Sequence, residues 1–317
     1  MWIKLDESEA FDEASIRPGM ALKKNNPDWR PDYGNVLILA GGAGSGKGFA
    51  FSKAIEFDGK KYDVDELKER LRKYKRASRL SMQYLAKYGK HLDQTDLSNP
   101  EDVKNLHQFV KDNELDDKVV EKLFNHIEDS ATKPNVVFDV TLKNVPKLVE
   151  ITTTARNAGY SSKCIHLIWV LNEHDIAAKQ NSARSRRVPE KILDETHIGV
   201  SETLNWVLKQ SDKLADDVEG TPVLNGDIWI FFNKSGTDNF VKKSGRGGLV
   251  MDTINAVKIK TAGREMPDFE TIMNMNVKVF DKNGKPIPGE TTTLREKIAS
   301  YVPTSTKELW NDIDDED

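Results

Sequence analysis

Residues 41 to 47 read Gly-Gly-Ala-Gly-Ser-Gly-Lys and follow directly on the apolar run Asn35-Val-Leu-Ile-Leu-Ala40. This is the Gly-x-x-x-x-Gly-Lys spacing of a phosphate-binding loop. Backbone N–H groups of such a turn, with the positive end of the following helix, hold phosphates, and the lysine neutralises charge on the β and γ groups. Glycine is needed because the backbone must bend tightly and approach the phosphates closely. Gly41, Gly42, Ala43, Gly44, Ser45, Gly46, Lys47 and Gly48 are therefore the expected nucleotide-binding residues, with ATP or GTP as ligand. An ordinary glycine-rich strand-to-helix turn is the alternative. The strand before and the helix after are both as the phosphate reading requires.

The pattern has one departure. A serine or threonine normally follows the lysine and touches Mg²⁺, whereas here Gly48 and Phe49 follow. The metal ligand stays unknown: Ser45, or an acidic residue elsewhere acting through water, would have to serve. A loop that binds nucleotide with little or no turnover is the competing reading.

Phosphoryl transfer to a hydroxyl also needs an orienting carboxylate, a metal, and cations for the equatorial oxygens. Asp63 and Asp65 follow a short strand-like segment, at the sheet edge where open α/β folds bind ligands. Asp65 reads either as a functional acid or as the N-cap of the helix beginning at Glu66-Leu67, and Asp63 competes for the functional role. Arg184, Arg186 and Arg187 cluster where a helix passes into a loop. Arginine forks suit phosphate oxygens, and a solvated charged face is the alternative. His197 reads as structural. The run Lys68 to Arg79 puts Lys68, Arg70, Arg72, Lys73, Lys75, Arg76 and Arg79 on one expected helix, either solvated or a polyanion-binding patch. There is no zinc-type Cys/His cluster, no Gly-x-Ser-x-Gly elbow and no dinucleotide fingerprint.

The elements that must position these residues follow from the apolar patterning. Buried strands are expected at 35–40, 135–139, 164–171 and 227–233, where continuous apolar runs suit a parallel sheet covered on both faces. Helices are expected from Phe49, over 66–88, over 100–130 with Pro100 near the start, over 145–158 closed by Gly159, and over 175–208 with a basic break at 184–189. Alternating strands and helices imply right-handed crossovers and a mostly parallel sheet, with 66–130 as a helical insertion. Asn283-Gly284 between alternating residues signals a hairpin. Three segments result: a polar lead-in at 1–33, a P-loop domain at 34–235, and an appendage at 236–317 with a basic loop (242–248), the hairpin and an acidic tail.

Composition narrows the class. The chain has 317 residues, 38% hydrophobic and 31% charged, with a net charge of −4. That is too apolar for a disordered chain, and nucleic-acid contact would need a local basic patch. The single cysteine, Cys164, allows no internal disulfide and fits a reducing compartment. The acidic N-terminus does not read as a signal peptide. No apolar run approaches the ~20 residues of a membrane span, so a cytoplasmic protein without membrane contact is expected.

Several segments, in order, resemble the zeta toxin family of P-loop kinases over residues 35 to 210. They are the phosphate loop, Tyr62-Asp-Val-Asp65, Val136-Val-Phe-Asp-Val-Thr-Leu-Lys143, Ala158-Gly-Tyr160 before a strand, and Ala183-Arg-Ser-Arg-Arg-Val-Pro189 followed by His197. The resemblance implies an α/β three-layer P-loop kinase sandwich. It also implies Lys47, Asp65, Arg184 and Arg187 as catalytic residues, Asp65 being the base for the acceptor hydroxyl. Asp63, Asp139, Thr141, Lys143 and Arg186 would be substrate contacts. Asp139 stands where the family has glutamate, one methylene longer. Lys143 also reads as a solvated surface lysine. The resemblance further implies ATP or GTP with Mg²⁺, and an acceptor such as a UDP-amino sugar. A nucleic-acid kinase and a non-catalytic nucleotide-binding assembly protein are the alternatives. Acceptor identity, oligomeric state and any protein partner stay open.

Overall fold

The computed structural model of the protein describes residues 34–53, 55, 57, 59–128, 133–183, 188–210, 214, 222–233, 240–242, 249–251, 255–280 and 286–311. The lead-in 1–33, the arginines at 184, 186 and 187, nearly all of the basic loop 242–248, the Asn283-Gly284 turn and the tail from 312 lie outside them.

In chain order the strands are β1 (Val36–Ala40), β2 (Lys60–Asp63), β3 (Val136–Asp139), β4 (Ile165–Asn172), β5 (Ile228–Asn233), β6 (Phe240–Lys242), β7 (Leu249–Met251), β8 (Asn255–Lys260), β9 (Asn276–Phe280) and β10 (Pro286–Thr293). The helices are α1 (Lys47–Lys53), α2 (Val64–Leu71), α3 (Arg79–Tyr88), α4 (Pro100–Asp112), α5 (Leu115–Glu128), α6 (Val145–Asn157), α7 (His174–Ala183), α8 (Glu190–Lys209), α9 (Phe269–Met273) and α10 (Leu294–Tyr301). Six strands form one sheet in the order β2-β3-β1-β4-β5-β8. The first five are parallel, and β8 runs antiparallel along β5. The fold is thus α/β with a mostly parallel sheet, as the alternating apolar runs require.

Side-chain alternation sends successive strand residues to opposite faces, and both faces are covered. Ile38, Phe138, Leu167, Trp169 and Ile230 face a large core completed by α5, α6, α8 and α10. Leu37, Leu39, Val137, Ile168 and Phe231 face a smaller core that includes Ala50 of α1. The helical insertion has its own core, in which Leu71, Tyr84, Leu106 and Phe109 are buried together.

One expectation is corrected. The helix read over 66–88 is two helices. α2 stops at Leu71, and α3 starts after Ser78, whose extended backbone (φ −70°, ψ 148°) and hydroxyl cap the N–H of Ser81. Like charges three and four apart between Arg72 and Arg76 disfavour a helix, and Ser78 offers a favoured cap. The basic run therefore does not share one helix: Lys68 is buried, Arg70 pairs with Glu66, and Arg76 pairs with Asp93.

The boundary expected at 236 falls between β5 and β6, and β8 beyond it completes the main sheet. Trp310 is fully buried, stacks on Trp169 of β4 at 5.8 Å and donates from Nε1 to Ser201 Oγ of α8 at 2.9 Å. Among the described residues no helix is long and apolar enough to cross a membrane. Trp310→Ala should cost about 3–5 kcal/mol of stability, the usual range for truncating a buried aromatic. Urea denaturation checks this; a loss below about 1 kcal/mol would mean that the C-terminal segment does not unfold with the sheet.

Candidate active site

β1 ends at Ala40 and the phosphate loop begins one residue on, so the loop sits at the carboxyl edge of the central strand. Gly44 and Gly46 have φ of 76° and 85°, a region that side chains with a Cβ rarely adopt. Space excludes a side chain too. A Cβ on Gly46 would lie 1.9 Å from Asn233 Nδ2, and one on Gly44 would lie 2.5 Å from the Ala177 carbonyl oxygen.

The loop is tied back by side chains from three elements. Asn172, the last residue of β4, donates to the Gly44 carbonyl at 3.2 Å. Its cross-strand partner Asn233, the last residue of β5, donates to the Ser45 carbonyl at 2.9 Å. From α8, Thr196 Oγ1 accepts from the Ala43 N–H at 3.2 Å, and His197 Nε2 donates to the Ala43 carbonyl at 2.7 Å. His197 is buried, and burial pushes its pKa down to about 4, so the ring is neutral and its proton sits on Nε2. The structural role expected for His197 thus has a definite object, the loop backbone.

Lys47 folds over its own loop, donating from Nζ to the Gly41 carbonyl at 2.7 Å. Gly48 has nothing within 4 Å of where a Cβ would stand, so a side chain fits there. The Ser45 hydroxyl is buried without a hydrogen-bond partner, beneath the loop beside Gly41.

The acids lie on the two strands flanking β1 on one side. Asp139 ends β3, Asp63 ends β2, and the two are cross-strand partners. Asp63, not Asp65, is the N-cap of α2: its Oδ1 accepts from the Asp65 N–H at 2.8 Å. The capping alternative weighed for Asp65 is therefore filled by its neighbour. Asp65 lies in the first turn of α2 with its side chain 57% exposed and Lys68 Nζ 3.4 Å away. Lys61, which the sequence did not single out, bridges the two strand-end acids, with Nζ 3.0 Å from Asp63 Oδ2 and 2.9 Å from Asp139 Oδ2.

Thr141 and Lys143 follow β3 in a turn where the buried Leu142 takes φ of 54°. The turn is pressed against α8, since a Cβ on Gly199 would lie 2.5 Å from the Lys143 carbonyl oxygen. His107 of α4, also missed in the sequence, adjoins this region. Burial first, then the charges of Lys68, Lys111 and Lys143, push its pKa down to about 4. Arg184, Arg186 and Arg187 are outside the described residues, but the chain on either side is clamped. Asn181 Nδ2 donates to the Val188 carbonyl at 2.7 Å, and its Oδ1 accepts from the Val188 N–H at 2.9 Å. His174 of α7 meets Asp194 of α8 at 2.8 Å.

A parallel sheet of order β2-β3-β1-β4-β5, with a glycine loop and lysine after its central strand, defines a P-loop α/β protein of the kinase type. The zeta toxin family model matches residues 21–227, and the chain belongs to that family. Three solved structures match parts of the chain at low identity. The PezAT chromosomal toxin–antitoxin system of Streptococcus pneumoniae matches at 14% identity, over 65% of this chain and 70% of that one, with a TM-score of 0.38. The native AvrRxo1-ORF1:-ORF2 complex matches at 12% identity over 88% and 74%, with a TM-score of 0.42. The same complex with ATP matches at 11% identity over 88% and 74%, with a TM-score of 0.36. Comparison with curated proteins gives no match.

The loop fits a nucleotide's phosphates, because its glycines leave a cradle that a Cβ would fill. It does not supply the usual protein ligand of a metal. Gly48 has no hydroxyl, Asp139 is engaged by Lys61, and no group of three or more His, Cys, Asp or Glu suited to a metal occurs among the described residues.

Gly46→Ala should lose roughly 1–2 kcal/mol from its positive φ alone, and more from the contact with Asn233. Gly48→Ala, in open space in the first turn of α1, should gain about 0.5–1 kcal/mol. Thermal denaturation of both variants checks the contrast, and equal effects would mean that the loop is not held in this conformation.

Proposed function

We propose that this chain is a P-loop kinase that moves the γ-phosphate of ATP or GTP to a hydroxyl of a small acceptor, a UDP-amino sugar being the class its family membership suggests. The observation that carries the reading is one of placement. The phosphate loop after β1 and the exposed carboxylate of Asp65 after β2 stand at the same edge of the sheet with one strand between them. Two strand spacings of about 4.8 Å set them roughly 10 Å apart, room for a phosphate chain on one side and a hydroxyl on the other.

In this reading the loop N–H groups seat the phosphates, and Lys47 leaves the Gly41 carbonyl for them. The acceptor hydroxyl gives its proton to Asp65, its oxygen bonds to the γ-phosphorus, and the β–γ bridging bond breaks to release the nucleoside diphosphate. Asp63 holds Asp65 in place by capping the helix that carries it. Asp139, Thr141 and Lys143 border the acceptor. Arg184, Arg186 and Arg187 are proposed to neutralise the equatorial oxygens. A metal, when bound, adds charge neutralisation at the phosphates. The absence of a hydroxyl at Gly48 favours a second reading, in which the loop binds nucleotide without turnover. A nucleic-acid acceptor loses the support of a single basic helix, since 68–79 is divided between α2, a turn and α3.

Transfer of labelled γ-phosphate, screened against sugar nucleotides, DNA and RNA, finds the acceptor. With it, Asp65→Asn should slow single turnover by about 10²–10⁴-fold, the usual contribution of a positioned base, and leave nucleotide affinity nearly unchanged. Asp63→Asn should retain the cap, because Asn caps as well as Asp, and should cost less rate. Lys47→Ala should abolish transfer and weaken nucleotide binding. If Asp63→Asn alone removed the rate, the base would be the wrong acid. Nucleotide retention with no transfer to any acceptor would favour the binding-only reading.

A further inference from the structure

Two carboxylates at the mouth of a phosphate site ordinarily repel each other unless a cation lies between them. Asp63 and Asp139 are such a pair, side by side at the carboxyl ends of neighbouring strands. Their direction follows from alternation along the strands. Tyr62 and Phe138 face the large core, with ring centroids 5.5 Å apart, so Lys61, Asp63 and Asp139 project to the other face, on which α1 packs. The cation between the acids is a lysine. Lys61 Nζ touches one oxygen of each carboxylate at 3.0 and 2.9 Å, while the side chains of Asp63 and Asp139 are only 21% and 12% exposed. With an oxygen of each carboxylate within 3.0 Å of its Nζ, Lys61 places its positive charge between the two acids.

A second, separate departure points the same way. The phosphate loop carries Gly48 where the usual metal-touching hydroxyl would be, although the space for a side chain is open. One change removes a metal ligand from the loop, and the other fills an acid pair with a fixed positive charge. We propose that Lys61 is a resident cation occupying the seat in which Asp63 and Asp139 would otherwise bind a divalent metal, so that a metal reaches this site only on the nucleotide. The inference deepens the kinase reading by assigning the charge balance on the acceptor side of the loop. It rests on the acid pair itself, and its test requires no turnover.

The test is Mn²⁺ binding without nucleotide, followed by the loss of the free Mn²⁺ paramagnetic resonance signal. Wild type, K61M, K61R and the double variant K61M/D139N are compared, and the acidic tail contributes equally to all four. K61M removes the ammonium at nearly constant length and should tighten Mn²⁺ binding by about tenfold or more, as expected for deleting a like charge within a few ångströms of the ion. K61R keeps the charge and should behave as wild type. K61M/D139N should return to the wild-type level, because one carboxylate of the pair is gone. K61Q repeats the measurement should K61M prove poorly folded. Wild-type binding as tight as that of K61M, no gain in either neutral variant, or a gain that survives D139N would each overturn the proposal. Absence of phosphoryl transfer to every acceptor would defeat the kinase reading while leaving this result standing, so the two failures are distinguishable.

Discussion

A phosphate loop works only if its carbonyls are turned away from the ligand, because each exposed carbonyl oxygen would repel a phosphate. Here three consecutive carbonyls, those of Ala43, Gly44 and Ser45, are held by His197, Asn172 and Asn233. The carbonyls are fixed from the protein side, and the Ser45 N–H closes a turn onto the Gly42 carbonyl at 3.2 Å. Left unmade, such buried hydrogen bonds would cost about 1–3 kcal/mol per orphaned group. Both asparagines end their strands and pair across them, so the sheet itself sets the height of the loop. The glycines are the other half of the arrangement: Gly46 can have no side chain because Asn233 occupies that space.

α8 carries this constraint further. Its Thr196 and His197 grip the loop at Ala43, its Gly199 lets the turn bearing Lys143 pass close, and its N-terminal end receives the chain from the arginine segment. One and two turns further along, Ser201 and Asn205 bond to Trp310 and to the Leu309 carbonyl. Residues from beyond 236 thus reinforce the helix that shapes the phosphate loop. This gives the C-terminal segment a physical connection to the site without any contact to a ligand. Tyr301, Val302 and Pro303 reach the same neighbourhood, lining a small cleft with Gly42 and His197.

Much of the sheet was legible in the sequence, because its strands are continuous apolar runs and its loop is a contiguous motif. The helix ending at Gly159 was legible for the same reason, since its stop signal is local. What was not legible depends on long-range placement. Asn172 and Gly44 are 128 residues apart, and Asn233 and Ser45 are 188 apart; a strand-end asparagine carries no sign of what it will hold. Lys61 carries no local sign of a role, and only the register of β2 against β3 puts it between two acids. The cap was weighed at Asp65 and not at Asp63, yet backbone geometry chose Asp63. The run 68–79 had helical residues throughout, but charge repulsion and the cap at Ser78 divided it. β8 joins the main sheet although the texture of its surrounding sequence differs from that of the other strands.

The orientation of the loop N–H groups can be measured directly, by following backbone amide resonances while ATP or GTP with Mg²⁺ is added. The amides of Gly44, Gly46 and Lys47 should shift most. Ala43 and Ser45 should shift least within the loop, because their N–H groups are already held by Thr196 Oγ1 and the Gly42 carbonyl. Unchanged resonances for Gly44, Gly46 and Lys47, with nucleotide-dependent shifts elsewhere in the protein, would contradict a phosphate cradle built on this loop.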